Sequence, residues 1–401
     1  MDMNLRNYLV VTGGYWAFTI TDGAIRMLVV LYFHLLGYSP FEVAMLFIFY
    51  EFFGIVTNLV GGWLGARIGL NLTMHIGMAM QVVALVMLTV PDNWLSVSYV
   101  MAAQALSGIA KDLNKMSAKA SVKAIAGGSS DSKLFKWVAL LTGSKNALKG
   151  GGFFIGAALL ELTGFRGALA TLAALLLAVL IITILLLPSG VGKMSSKPKF
   201  SHIFSNISAI NWLSAARFFL FGSRDVWFVV ALPVFLYEVL GWSFTQVGGF
   251  IALWIIGYGI VQATVPKLLR QSHHGQGPGG GSALLWAFVL APIPAAIAVA
   301  MNQGWPADTV VVLGLIIFGF VFAINSAVHS YLILAYSDHD RVAMSVGFYY
   351  MSNAGGRLTG TLLSGLLYQS YGLEGALWAS TLFVITAALL SLWLPQPNRA
   401  H

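Results

Sequence analysis

The sequence predicts an all-α polytopic membrane protein, with twelve transmembrane helices in two pseudo-symmetric six-helix bundles. Three observations predict it. The 401 residues are 58% hydrophobic and only 9% charged, with a mean hydropathy of +0.82, too apolar for a water-soluble domain and long enough for about twelve spans. The basic residues outside the apolar runs collect in alternate connections, as membrane topology requires. Sequence features of the first half also recur a little over two hundred residues later.

Taken in order, the spans fall at about 8–36, 40–66, 72–91, 94–115, 136–162, 166–187, 211–240, 243–269, 282–302, 306–336, 342–371 and 373–394. The first run is too long for a cleaved signal and contains Asp22 and Arg26, so it reads as a retained span. Gly37-Tyr38-Ser39-Pro40 ends it, and Pro91-Asp92-Asn93 separates the third and fourth spans. Lys115, Lys119, Lys123, Lys133 and Lys136 read as topogenic charges between the fourth and fifth spans, and Gly164 and Gly372 mark the corners after the fifth and eleventh. Two connections are longer. Pro188 to Ile210 carries three lysines and divides the chain into a bundle at 1–187, a cytoplasmic linker at 188–210 and a bundle at 211–401, while the glycine-rich Gln271 to Ser282 reads as a flexible loop.

With a cytoplasmic N-terminus, that side holds fourteen basic residues in its connections and the other side holds only Arg166. The asymmetry puts both termini in the cytoplasm. The same clustering accounts for the net charge of +8 without nucleic acid as a partner. With no cysteine, thiolate metal sites, disulfides and thiol nucleophiles are excluded. No P-loop, His-Glu-x-x-His or nucleophile elbow is present, so no enzyme, metal or cofactor is expected, and any pumping would run on an ion gradient or solute exchange.

Gly37-Tyr38-Ser39 with Val43 recurs as Gly241-Trp242-Ser243 with Val247, and Gly164-Phe165-Arg166-Gly167-Ala168-Leu169 recurs as Gly372-Leu373-Glu374-Gly375-Ala376-Leu377. A parallel repeat of six spans is the signature of the major facilitator fold, in which spans 3, 6, 9 and 12 are peripheral. Seven basic residues lie within spans, Arg26, Lys111, Lys145, Lys149, Arg217, Arg224 and Arg357, with four acids, Asp22, Glu51, Asp112 and Asp225. None is on a peripheral span. Each charge costs about 2.5–3.5 kcal/mol on insertion scales, and the excess of three cations favours a multiply charged anion.

Lys111 and Asp112 are expected within a turn or two of the cytoplasmic end of their span. Lys145 and Lys149, four apart, repel unless an anion lies between them. The repeat maps Lys149 onto Arg357. Candidate substrate-binding residues are therefore Arg26, Lys111, Lys145, Lys149, Arg224 and Arg357, with Tyr349 and Asn353 as cavity-lining candidates; Asp22, Glu51, Asp112 and Asp225 are candidate proton carriers or ion-pair partners. The bland readings pair Asp22 with Arg26 and Arg224 with Asp225 as internal locks, and make His329, with Asn325, Ser326 and Ser330, a satisfied polar patch. Gly150 to Gly156 reads as a close helix approach.

Gly62-Trp63-Leu64-Gly65-Ala66-Arg67-Ile68-Gly69 resembles the loop signature of major facilitator transporters, with Ala66 where an acid is usual. More specifically, Val11-Thr12-Gly13-Gly14-Tyr15-Trp16, Thr21-Asp22-Gly23-Ala24-Ile25-Arg26 and Gly108-Ile109-Ala110-Lys111-Asp112-Leu113-Asn114-Lys115 resemble the bacterial organoarsenical efflux permeases. That resemblance implies export, from a bacterial inner membrane, of 1-arseno-3-phosphoglycerate made by glyceraldehyde-3-phosphate dehydrogenase. The alternative within transport is a carrier for another organophosphate or organic anion, such as a sugar phosphate. A monomer is expected.

Overall fold

A computed structural model describes residues 3–37, 46, 48–126, 131–193, 207–242, 244–269, 277–338 and 341–395, and all regular structure among them is helical. Most of the turn after the first span, the middle of the linker and most of the glycine-rich loop lie outside this set, as does the side chain of Glu51. The first half supplies α1 (Met3–Leu35), α2 (Ile48–Ile68), α3 (Leu70–Met87), α4 (Val97–Ala126) and α5 (Asp131–Leu186). The second supplies α6 (Ser208–Phe228), α7 (Ala231–Glu238), α8 (Phe244–Leu268), α9 (Gly280–Leu290), α10 (Pro292–Asn302), α11 (Ala307–Tyr336) and α12 (Val342–Ser391).

These helices carry the predicted spans with two economies. α5 and α12 each contain two spans that meet at one residue, Gly164 at φ 69° and Gly372 at φ 63°. Only glycine adopts this left-handed backbone without penalty, so a single residue turns the chain at each expected corner. Spans seven and nine are each interrupted, as α6 with α7 and α9 with α10; the second break falls at Ala291, just before Pro292, which cannot donate a helical hydrogen bond. Among the described residues, seven stretches are long and apolar enough to cross a membrane.

The fourth span departs from expectation. α4 runs to Ala126, and Lys115 and Lys119 are 9% and 1% exposed on it. They are helix residues packed in protein and not loop charges. Lys111 and Asp112 consequently lie some 14 residues before the end of α4, about 21 Å at 1.5 Å per residue, and not within the turn or two of it that was expected.

The chain divides into two compact units, one of residues 1–129, 144–204 and 337–351, the other of 130–143, 205–336 and 352–401. In the first, α4 packs against α1, α2 and α3. The segment after α5 docks there too, with Leu70 N–H donating to Val191 O and Asn71 Nδ2 to Pro188 O, each at 2.8 Å. In the second, α11 packs against α6, α8, α9 and α10. Trp227 meets Trp254 and Phe318 edge to face in this core, Phe318 stacks on Phe322, and Trp254 Nε1 donates to Leu315 O at 2.8 Å. Spans 3, 6, 9 and 12 expose large apolar side chains, including Val83, Leu185, Phe288 and Leu382, the surface that acyl chains solvate.

Candidate functional site

In the first unit the charges gather around Asp22. It is 3% exposed, accepts a hydrogen bond from the Tyr50 hydroxyl at 2.5 Å and pairs with Lys149 Nζ of α5 at 3.4 Å. Glycine makes the pairing possible. A Cβ on Gly152 would stand 2.6 Å from Ile20 O and 3.2 Å from Gly23 Cα, so α1 and α5 meet backbone to backbone. Lys149, one turn before Gly152 on the same face, thereby reaches the acid. The Tyr50 ring also carries two cations, Arg26 with its guanidinium carbon 4.2 Å from the centroid and Lys111 Nζ at 3.8 Å.

Beside Lys111 on α4, Asp112 receives Lys115, from the next turn, at 2.5 Å and Lys111 at 3.6 Å. Lys115 and Lys119 lie 4.4 and 5.6 Å from the Tyr350 centroid, and Tyr349, fully buried, meets Tyr350 edge to face. These ring contacts explain how lysines ride inside the bundle, their stems packed and their ammonium groups on aromatic faces. Lys145 is half-buried a turn before Lys149, next to Ser144, which accepts from Trp16 Nε1 at 2.7 Å.

The second unit repeats the arrangement. Asp225 is fully buried and accepts from Arg224 Nε at 2.6 Å and Arg357 Nε at 3.0 Å. A Cβ on Gly360 would stand 2.7 Å from Gly222 O and 3.0 Å from Asp225 Cβ, so α6 and α12 cross as closely as α1 and α5. Lys149 and Arg357, Gly152 and Gly360, and Gly164 and Gly372 are each separated by 208 residues. Asp22 and Asp225 differ by 203, within one residue of the step from Gly37 to Gly241. Each half thus holds an acid on its first span against a cation on its fifth, at a glycine crossing. Arg224 with Asp225 was legible as a pair from sequence; Asp22 with Lys149 was not, because their proximity comes from helix packing.

Arg217 was counted among the intramembrane cations but not placed at the site. It is 3% exposed, donates from Nε to Asn353 Oδ1 at 2.9 Å and from Nη1 to Ser326 Oγ at 3.2 Å, and stacks over Phe221 at 3.7 Å. Asn353 therefore belongs with Arg217. The patch on α11 also corrects the expectation of a satisfied cluster. Asn325, His329 and Ser330 are at most 1% exposed, and among the described residues no protein group hydrogen-bonds to either ring nitrogen of His329, to either amide atom of Asn325 or to the Ser330 hydroxyl. The sequence shows polar residues on one helical stripe but not whether neighbours reach them. Among the described residues, no group of three or more His, Cys, Asp or Glu side chains is placed to hold a metal ion.

Residues 11–328 match the Major Facilitator Superfamily. No curated protein matches the chain. Among solved structures, it is similar to the human organic anion transporter MFSD10 (TETRAN), at 15% identity and TM-score 0.77 over 98% of this chain and 100% of that one. A bacterial homologue of the iron transporter ferroportin matches at 17% identity and TM-score 0.76, covering 98% and 99%. The proton:xylose symporter XylE matches at 14% identity and TM-score 0.76, covering 98% and 96%. Identities this low carry the fold alone. Family match and fold agree with the repeat and with the helical architecture, and the chain belongs to the Major Facilitator Superfamily, multi-pass membrane proteins that are secondary transporters of small solutes and not enzymes.

Proposed function

We propose that this chain exports an anionic organoarsenical, 1-arseno-3-phosphoglycerate, from the cytoplasm by alternating access, and so confers arsenate resistance. The observation that carries the reading is the pair of repeat-equivalent ion clusters, in each of which cations outnumber the buried acid: Lys149, Lys111 and Arg26 about Asp22, and Arg224 and Arg357 about Asp225. Each set by itself offers an oxyanion positive charge and N–H donors. Each aspartate occupies its cations; a phosphate or arsenate oxygen competes for the same N–H groups, most effectively at the planar arginine forks. The released carboxylate is then free to take a proton, which is one coupling scheme. Phosphate exchange is the other.

The arsenical itself is supported by the resemblance of the first and fourth spans to organoarsenical efflux permeases. A chain without cysteine also suits pentavalent arsenic, an oxyanion, and not trivalent arsenic, which binds thiolates. The similar fold of a human organic anion transporter is compatible with an anionic solute. In this reading the protein is a monomer in the bacterial inner membrane with both termini cytoplasmic, linked functionally to glyceraldehyde-3-phosphate dehydrogenase. The cation sets alone suit another organophosphate or organic anion equally well, and competition by unmodified 3-phosphoglycerate separates the two.

The test is arsenate tolerance and intracellular arsenic in an arsenate-sensitive bacterium expressing the chain, with and without extra dehydrogenase. Tolerance and lowered arsenic that require the dehydrogenase are expected. No effect in cells that contain the protein would sink the arsenical assignment and leave a carrier of a different anion.

A further inference from the structure

The second unit buries another cation apart from the Asp225 cluster. Arg217 precedes Arg224 by seven residues on α6, about 10 Å along the helix at 1.5 Å per residue. We propose that Arg217, together with Asn325, His329 and Ser330 of α11, forms a second oxyanion subsite, taking a tetrahedral hydrogenphosphate or hydrogenarsenate group. The proposal rests on the reading of the chain as an anion carrier but not on the arsenical.

Three observations converge on it. The guanidinium is oriented before any ligand arrives: Asn353 holds Nε, Ser326 holds Nη1, Phe221 lies beneath the plane, and Ser326 Oγ is itself fixed by Gln262 Nε2 at 3.1 Å. Those contacts set the guanidinium against α11 at Ser326. Ser330 is one turn further along the same face, Asn325 and His329, four apart, form the adjoining stripe on one side of it, and His329 is within electrostatic reach of Arg217. Finally, these neighbours have hydrogen-bonding capacity that the protein does not use, although all three are buried. Buried polar groups are normally satisfied, and a cluster that is not points to an occupant.

The donor and acceptor inventory selects the class. Arg217, the Asn325 amide and the Ser330 hydroxyl donate, as oxyanion oxygens require. A neutral imidazole brings one donor and one acceptor, and the acceptor suits the remaining P–OH or As–OH group. A carboxylate has no such proton to offer. The subsite lies on the α6 N-terminal side of Asp225, so a substrate engaging it has a station separate from the paired arginines.

Inorganic phosphate is the probe, with binding to the full chain in lipid nanodiscs measured by equilibrium dialysis alongside the melting temperature. In an Arg357→Gln background, which weakens the Asp225 cluster, phosphate binding is expected to persist. Adding Arg217→Gln should weaken it by about tenfold or more, and adding Asn325→Ala or Ser330→Ala by about three- to tenfold. The alanine variants cover the case in which Arg217→Gln fails to fold. Absence of phosphate binding in the Arg357→Gln chain overturns the proposal. So does binding unaltered by Arg217→Gln, or alanine variants that shift only the melting temperature, the signature of a cluster hydrated by internal water. Failure of dehydrogenase-dependent tolerance leaves this measurement untouched, so the two readings fail separately.

Discussion

Asp225 holds two arginines from a fully buried position, whereas Arg357 is about 30% exposed. The asymmetry makes a prediction. Asp225→Asn leaves two guanidinium groups without their acid and should cost about 3–5 kcal/mol of stability, as breaking a buried pair does, whereas Arg357→Gln leaves Asp225 with Arg224. Thermal unfolding in detergent should therefore show Asp225→Asn falling well below Arg357→Gln, with the double variant closer to the latter; equal losses would mean that the second arginine does not support the acid. Lys149→Gln and Arg357→Gln should each abolish export with the membrane level of the protein unchanged. Wild-type export in either would remove that residue from the site. The correspondence of these two cations was legible in the sequence because the repeat carries it. What they touch was not: spacing along one helix reports neighbours three and four residues away, and Asp22 meets Lys149 through the packing of α1 on α5, with three helices between them in sequence. Lys115 and Lys119 read as loop charges in the sequence because charge usually marks a connection, but a lysine stem and an aromatic ring can bury an ammonium group inside a bundle.

The helices meet where glycine lets them. Gly152→Val and Gly360→Val put side-chain carbon against backbone oxygen on the facing helix and should each lower stability by about 1–3 kcal/mol through overpacking. They should weaken transport too, by pulling the cation away from its acid. Gly151→Ala is the internal control: a Cβ there meets nothing within 4 Å, so melting should hold or rise slightly. Identical melting of Gly151→Ala and Gly152→Val would remove the close crossing as the basis of the ion pair. The corners at Gly164 and Gly372 were legible as turn signals, since a glycine between two apolar runs has few other uses. The length of α4 was not, because nothing local stops the helix at the lysines: the residues from Lys115 to Ala126 contain neither proline nor glycine, and the positive charges there are tolerated through partners distant in sequence.

At the scale of the whole chain, orientation is the expectation most open to direct measurement. With Lys115 and Lys119 placed inside the bundle, twelve of the fourteen basic residues still stand against one on the other side, so a fluorescent protein fused to the C-terminus should glow and an alkaline phosphatase fused there should stay inactive; the reverse result would invert the protein and make the proposed export import. The twofold repetition was legible because it survives in the turn glycines, whereas the link between Arg217 and the polar stripe of α11 was hidden, since the packing of α6 on α11, and not spacing along the chain, brings them together. The corner at Gly164 has a consequence for biogenesis. With one residue between two spans, the translocon cannot deliver the fifth span to lipid, pause over a loop and then begin the sixth. The two limbs of α5 must leave the channel together as a hairpin, and the limbs of α12, turned at Gly372, must do the same at the end of synthesis. The strongly apolar second limb would then carry into the bilayer a first limb burdened with Lys145 and Lys149, before Asp22 has closed on it.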